Sequence, residues 1–289
     1  MYTEFYELRE IPFGLTPNPK FIYKTESHLE VVSNLQYCIS QSKGLAMVTG
    51  EVGTGKTTTL RSVLQQFGPD ILSVYLFNPF VTVAEFFQLL SSSLNLGLGP
   101  AVSKAETLNA LGSCLTERHA KGLRTVLIID EAHGLFPVVL EEVRLLANFE
   151  TNSDKLLQIV LCGQPELREV LNQPGLRQLK QRISLRCSIK PLQLYDINNY
   201  IRFRLKIAGA ERVNIFDSSA IELIGQASCG IPRVINNICD NALLYGYAAG
   251  QRTIFRDTIA DVIEALDIIP SDLTGADSLA FIQAAGSVT

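Results

Sequence analysis

The sequence predicts an α/β fold, a parallel five-stranded sheet sandwiched by helices, followed by a small all-helical domain. Three observations carry that prediction. Short apolar runs alternate with helical stretches of ten or more residues over the first 190 positions, the pattern of a parallel sheet covered on both faces. A glycine-rich turn separates the first apolar run from the helix behind it. After Pro191 the strand signal stops and only helical patterns follow.

The composition is compatible with a packed core. Of 289 residues 47% are hydrophobic and 19% charged, with 20 Gly and 12 Pro, which excludes a disordered or collagen-like chain. No apolar run reaches the roughly 18 to 20 residues that span a bilayer. The opening MYTEFYELRE lacks the apolar stretch of an export signal, so a cytoplasmic protein is expected. Its six cysteines, with no C-x-x-C pair, then read as reduced thiols, and three scattered histidines suggest no zinc site.

Taken in order, the strands fall at Leu45–Thr49, Ile71–Phe77, Thr125–Asp130, Leu156–Cys162 and Ile183–Ile189. Helices fall between them at Ser27–Ser42, Lys56–Phe67, Val83–Leu94, Ser103–Lys121 and Pro137–Phe149. Ser27 with Glu30, and Ser103 with Glu106, have the spacing of capping boxes. Four more helices follow at Tyr195–Ile207, Asp217–Ala227, Pro232–Tyr247 and Arg256–Ala265. The expected division is residues 1–190, with an N-terminal arm, then 191–267, then a tail of 268–289 that leaves room for a short partner-binding helix near Leu279–Ala285. Charge is uneven. From Arg168 to Lys206 nine basic residues face two acidic ones, a local +7 in a chain of net charge −4. That run reads either as an interface with something negative or as a solvated basic face.

Gly50-Glu51-Val52-Gly53-Thr54-Gly55-Lys56-Thr57 fits G-x-x-x-x-G-K-[ST] between a strand and a helix, with Thr58 next. Such a loop turns backbone N–H groups onto phosphates, and the following helix adds positive potential. Lys56 would bridge the β- and γ-phosphates and Thr57 would hold Mg²⁺. Val126–Ile129 then read as a buried strand that delivers Asp130 to the Mg²⁺ shell and Glu131 to an attacking water, a pairing suited to hydrolysis. Gln164, after another buried strand, is placed to contact the γ-phosphate or the water, or else is a turn residue. Arg233 in Gly230-Ile231-Pro232-Arg233 opens a helix where a cation opposes the dipole, which favours a reach back over the nucleotide. No [NT]-K-x-D guanine motif occurs.

In this order of motifs the chain resembles an AAA+ ATPase, a P-loop NTPase whose sheet domain is followed by a helical lid. Phe5-Tyr6, Pro12-Phe13, Pro17, Pro19, the GEVGTGKTT loop and the GQPEL segment further resemble the general secretion pathway protein A family, over about residues 1–266. The resemblance implies ATP and Mg²⁺ as ligands, Gln164 as sensor 1 and Arg233 as sensor 2. It also implies an arginine finger within Arg177–Arg182, with Arg182 the choice and Arg177 the reserve. Pro12 and Phe13 would line the adenine, or else pack the arm onto the core. Members of that family often continue into a membrane span and a periplasmic region, whereas this sequence stops at Thr289. Three functions follow as expectations. The first is an ATP-driven motor or switch of a secretion or envelope complex, held through a partner at the inner face of the inner membrane. The second is a regulator of transposition that assembles on DNA. The third, a scaffold that barely turns over, is disfavoured by Glu131. Each of the first two implies self-assembly into a ring or filament.

Overall fold

The computed structural model describes residues 1–16, 18–77, 79–99 and 102–269. In chain order its elements are α1 (Tyr2–Phe5), α2 (Glu26–Ser40), β1 (Leu45–Gly50), α3 (Lys56–Gln65), β2 (Ile71–Leu76), α4 (Val83–Ser93), α5 (Lys104–Ala120) and β3 (Arg124–Ile129). There follow α6 (Pro137–Leu146), β4 (Leu157–Gly163), α7 (Leu167–Leu171), α8 (Arg177–Arg182), β5 (Ile183–Ile189), α9 (Leu194–Ile207), α10 (Ser218–Ser228), α11 (Pro232–Ala248) and α12 (Arg256–Ala265). The chain divides into two compact units. A sheet unit holds Glu26–Gly50 and Lys56–Ile189; a helical unit holds Met1–Thr25, Glu51–Gly55 and the chain from Lys190 on. Pro17, and the expected tail from Pro270 with its helix near Leu279–Ala285, lie outside the described residues.

In the sheet unit five parallel strands run in the order β2-β3-β4-β1-β5. Successive side chains of a strand point to opposite faces, and here both faces are covered. Leu45, Met47, Leu127, Ile129, Ile159 and Leu161 join α4, α5 and α6 in one layer of core. Ala46, Val48, Val126, Ile128, Val160 and Cys162 join α2 and α3 in the other. This is why the strands read as continuous apolar runs rather than alternating ones. From β1 the chain crosses to β2 at one edge, and from β4 it crosses to β5 at the other. Ligands of open parallel sheets gather outside the carboxyl ends at such a divergence.

Helix starts follow side-chain chemistry in part. At Ser103 the expected capping box forms: its Oγ accepts the Glu106 N–H at 3.3 Å and its own N–H donates to Glu106 Oε2 at 3.0 Å. A second box, Thr82 with Glu85, escaped the sequence reading. At the other expected box α2 begins at Glu26, one residue before Ser27, which lies in its first turn.

The helical unit has its own core, built from Tyr2, Tyr6, Phe13, Leu205, Ile235, Leu243 and Ile259 among others. The N-terminal arm, counted with residues 1–190 in the expected division, contributes Tyr2, Tyr6 and Phe13 to this core. Arg204 on α9 holds it: Nε donates to the Pro12 carbonyl at 2.6 Å, and the guanidinium lies 4.9 Å from the Phe21 ring centroid. At the other end of the arm the Tyr6 hydroxyl donates to the Gln251 carbonyl at 2.8 Å.

Candidate functional site

Within the sheet unit the carboxyl ends of β1, β3 and β4 carry the polar residues that the motifs single out. Lys56, at the start of α3, is buried, and its Nζ donates to the Gly50 carbonyl at 2.8 Å. Thr57 Oγ1 donates to Asp130 Oδ2 at 2.7 Å, although 73 residues separate the two. A hydroxyl and a carboxylate at this spacing, both oxygen donors, fit the preference of a hard divalent cation such as Mg²⁺. Asp130 is 7% exposed, and its other oxygen, Oδ1, accepts the Glu131 N–H at 3.0 Å. Both carboxylate oxygens are thus held. Beneath them the Cys162 thiol is pushed well above the ordinary range, first by burial and then by the neighbouring Asp130 charge. The thiol therefore stays neutral there.

Glu131 has a left-handed backbone, φ 51° and ψ 35°, unusual for a residue with a side chain. Conformations of this kind concentrate at functional sites. Its carboxylate faces His133, with Oε2 3.5 Å from Nδ1, and Gln164 lies on the other side of the same imidazole, Nε2 to Nε2 at 3.2 Å. Glu131 and Gln164 are thus brought together through a histidine that the sequence reading set aside. Arg168 was likewise counted only for its charge. Its guanidinium donates to Thr49 Oγ1 at 3.0 Å, beside the start of the glycine-rich loop.

Within the helical unit the loop residues Glu51–Gly55 meet the start of α11. Gly53 and Gly55 have φ of 82° and 97°, open to glycine at little cost. Thr54 Oγ1 donates to the Glu51 carbonyl at 2.8 Å, closing the turn, and the Arg233 N–H donates to the Gly53 carbonyl at 3.2 Å. Arg233 and the loop are therefore neighbours, as the reading of that arginine requires.

Burial bears on two further expectations. Phe13 and Pro12 are both buried; Phe13 is 1% exposed and packs edge-on against Phe216 at 6.1 Å. Phe13 belongs to the core of the helical unit, in keeping with the packing alternative. The basic run from Arg168 to Lys206 is also not all solvated. It is shared between the two units, and Arg204 is buried. Arg177, Arg182 and Arg186 do remain exposed on α8 and β5. Arg182 lies near enough to Glu141 and Glu150 to help hold both carboxyls below their ordinary values, after the stronger effects of Arg144 on the first and Lys155 on the second.

Among the described residues no helix is long and apolar enough to cross a membrane. A family model described as an AAA domain matches residues 39–171. General secretion pathway protein A of Aeromonas hydrophila is 42% identical over 260 residues, which cover 90% of this chain and 47% of that protein. The chain thus spans about half the length of that relative. The ATP-dependent target DNA activator B of Escherichia phage Mu is 24% identical over 261 residues, 87% of this chain and 75% of the phage protein. In fold the chain is similar to a Drosophila ORC structure bound to DNA, with a TM-score of 0.69, 18% identity, and coverage of 90% of this chain and 65% of that one.

Proposed function

For a chain that is an AAA+ P-loop ATPase resembling general secretion pathway protein A, we propose binding and hydrolysis of Mg²⁺-ATP to drive assembly or remodelling of a bacterial secretion or envelope complex. The observation that carries the chemistry is the 2.7 Å pairing of Thr57 with Asp130, beside a buried lysine. Lys56, now turned onto the Gly50 carbonyl, swings to the β- and γ-phosphates and offsets their charge. Thr57 and Asp130 are the residues that would hold Mg²⁺, which when bound neutralises charge on the phosphate oxygens. Backbone N–H groups of residues 51–57 cradle the phosphates. Glu131 takes a proton from the attacking water, and Gln164 orients that water or the γ-phosphate. Arg233 contacts the same nucleotide, and Arg182 serves the nucleotide of a neighbouring subunit in a ring or filament.

Identity to the secretion protein supports the envelope role, with a cytoplasmic chain held by a partner at the inner face of the inner membrane. Two variants test the core of the reading. Lys56→Ala should lose nucleotide binding in calorimetry while keeping its fold. Glu131→Gln should bind ATP normally and hydrolyse it about 10²–10⁴ times more slowly, the usual worth of a general base. Unchanged ATP affinity in the first variant, or undiminished turnover in the second, overturns the assignment.

A second reading is a DNA-assembled regulator of transposition. The exposed Arg177, Arg182 and Arg186 favour it, together with the likeness to the phage DNA activator. Phosphate contacts weaken steeply as salt rises and carry no base code. Gel shifts on duplex DNA with a non-hydrolysable ATP analogue, at low and then higher salt, decide between the two. A salt-sensitive shift supports the DNA role, and no shift at either salt leaves the protein-complex role.

A further inference from the structure

His133 sits in the short turn Ala132–Gly134 that follows Glu131, and three features aim its ring. The left-handed backbone of Glu131 reverses the chain, so the imidazole two residues on faces the Glu131 carboxylate, Nδ1 to Oε2 at 3.5 Å. The end of β4 also reaches the ring: the Gln164 N–H donates to Nδ1 at 3.4 Å, and Gln164 Nε2 lies 3.2 Å from His133 Nε2. Gly163 leaves the room: a Cβ there would stand 3.3 Å from His133 N and 3.4 Å from Nδ1. One ring thus spans the two residues given the water and the γ-phosphate.

A neutral imidazole carries one N–H and one lone pair. With the proton on Nδ1 it donates to Glu131, and the Nε2 lone pair accepts from the Gln164 side-chain amide. With the proton on Nε2, Nδ1 accepts the Gln164 N–H, and the carboxylate faces a lone pair with no donor. Only the first arrangement serves Glu131; the Gln164 side-chain amide favours it, and the Gln164 backbone N–H, which points at Nδ1, opposes it. The partner of one ring nitrogen fixes what the other nitrogen does.

Resting on the ATPase reading above, we propose that His133 is a positioning residue for hydrolysis. With its proton on Nδ1 the ring orients one oxygen of Glu131 and leaves the other to take the proton of water, while Gln164 holds the ring from the β4 side. The three residues then act in series.

The test measures kcat, KM and the affinity for a fluorescent ATP analogue in wild-type protein and in His133→Ala, His133→Asn, Gln164→Ala and the double variant His133→Ala/Gln164→Ala. Removing a group that orients a catalytic partner costs about 10- to 100-fold in activity. His133→Ala should therefore lose about that much in kcat, with affinity within about twofold of wild type. His133→Asn, whose amide can still donate to Glu131, should recover most of the loss. The double variant should be little worse than the worse single one, and His133→Ala added to Glu131→Gln should cost nothing further, as expected of residues in series. A His133→Ala kcat within twofold of wild type, losses that multiply in the double variant, or a failure confined to affinity each overturn the proposal. Turnover by the wild type with its loss in Glu131→Gln stands or falls separately, so a failed ATPase reading is told apart from a failed role for His133.

Discussion

Arg204→Met isolates what holds the N-terminal arm. Arg204 is 7% exposed, and its guanidinium donates to neutral partners: the carbonyls of Pro12 at 2.6 Å and Gly14 at 3.4 Å, and the Tyr200 hydroxyl at 2.9 Å. It also lies 6.0, 4.9 and 5.7 Å from the ring centroids of Phe13, Phe21 and Tyr200. Methionine keeps the apolar stem and deletes the donors, leaving the Pro12 carbonyl buried without this partner. Hydrogen bonds to a charged group contribute about 1.5–3 kcal/mol each, and two here are short. Against that stands the cost of burying a cation, which an apolar replacement recovers in part. The balance is a loss of about 2–4 kcal/mol. For a protein of this size 1 kcal/mol shifts the melting temperature by roughly 2–4 °C, so a fall of about 4 to 16 °C is expected. Calorimetry reads the shift, and hydrogen exchange reads the arm, whose amides at Phe5–Arg9 should lose protection before those of α10 and α12. A melting temperature within 2 °C of wild type with an unchanged arm would refute the reasoning. The arm would then be held by its apolar side chains alone.

Three further outcomes follow from other parts of the molecule. Gly53→Ala places a Cβ 2.5 Å from Arg233 Cβ at a φ of 82°, so nucleotide affinity should fall at least about tenfold, and an affinity equal to wild type in calorimetry removes this contact from the site. Arg182→Ala should bind ATP without hydrolysing it, because an arginine finger is worth about 10³–10⁵ in rate. Mixing it with Lys56→Ala should restore some activity, and a dead mixture that still co-assembles points to Arg177. At alkaline pH burial holds the Cys187 thiol up at about 11 and the Tyr6 hydroxyl at about 12. Both folded values exceed the unfolded ones, so the Cys187 contribution is complete below about pH 8.5 and drains away as pH climbs toward 11, and that of Tyr6 drains from about pH 10 toward 12. Urea unfolding from pH 7 to 10.5 should show the decline, and a Cys187→Ala profile as steep as wild type would rule that thiol out as a contributor.

What could be read from the sequence was what lies close together in it or is spelled by a motif. The apolar runs of β1, β3 and β4 are legible because burial on both faces leaves no polar alternation to confuse them. Thr57 and Asp130 are far apart in the chain, yet each ends a recognisable strand-loop pattern, so their meeting could be anticipated. His133 had no such signature. Its meaning depends on β3 and β4 being adjacent in the sheet, which brings Gln164 beside it across 31 residues. Phe13 was open to two readings, because a hydrophobic arm looks the same whether it covers a ligand or a core. Arg204, which holds the arm, lies 192 residues from Pro12. The same arginine was counted in a basic run, since a charge count cannot see which cations the fold turns inward.

Gly53 shows how a loop residue can be fixed by something other than the phosphate it is known for. The motif G-x-x-x-x-G-K-[ST] demands glycine at positions 50 and 55 and leaves 53 free. Yet the approach of Arg233 and Ile231 leaves no room for a side chain at 53. The reason lies in α11, which opens with Ile231 as N-cap, a residue with no side-chain oxygen to offer the first free N–H groups of the helix. Pro232 at the first position has no N–H to satisfy. The next donor, Arg233 N–H, is taken by the Gly53 carbonyl. The loop therefore does for this helix what a serine or aspartate does elsewhere, and the helix it caps is the one that presents Arg233. Any ligand that draws the carbonyl of residue 53 away must uncap α11.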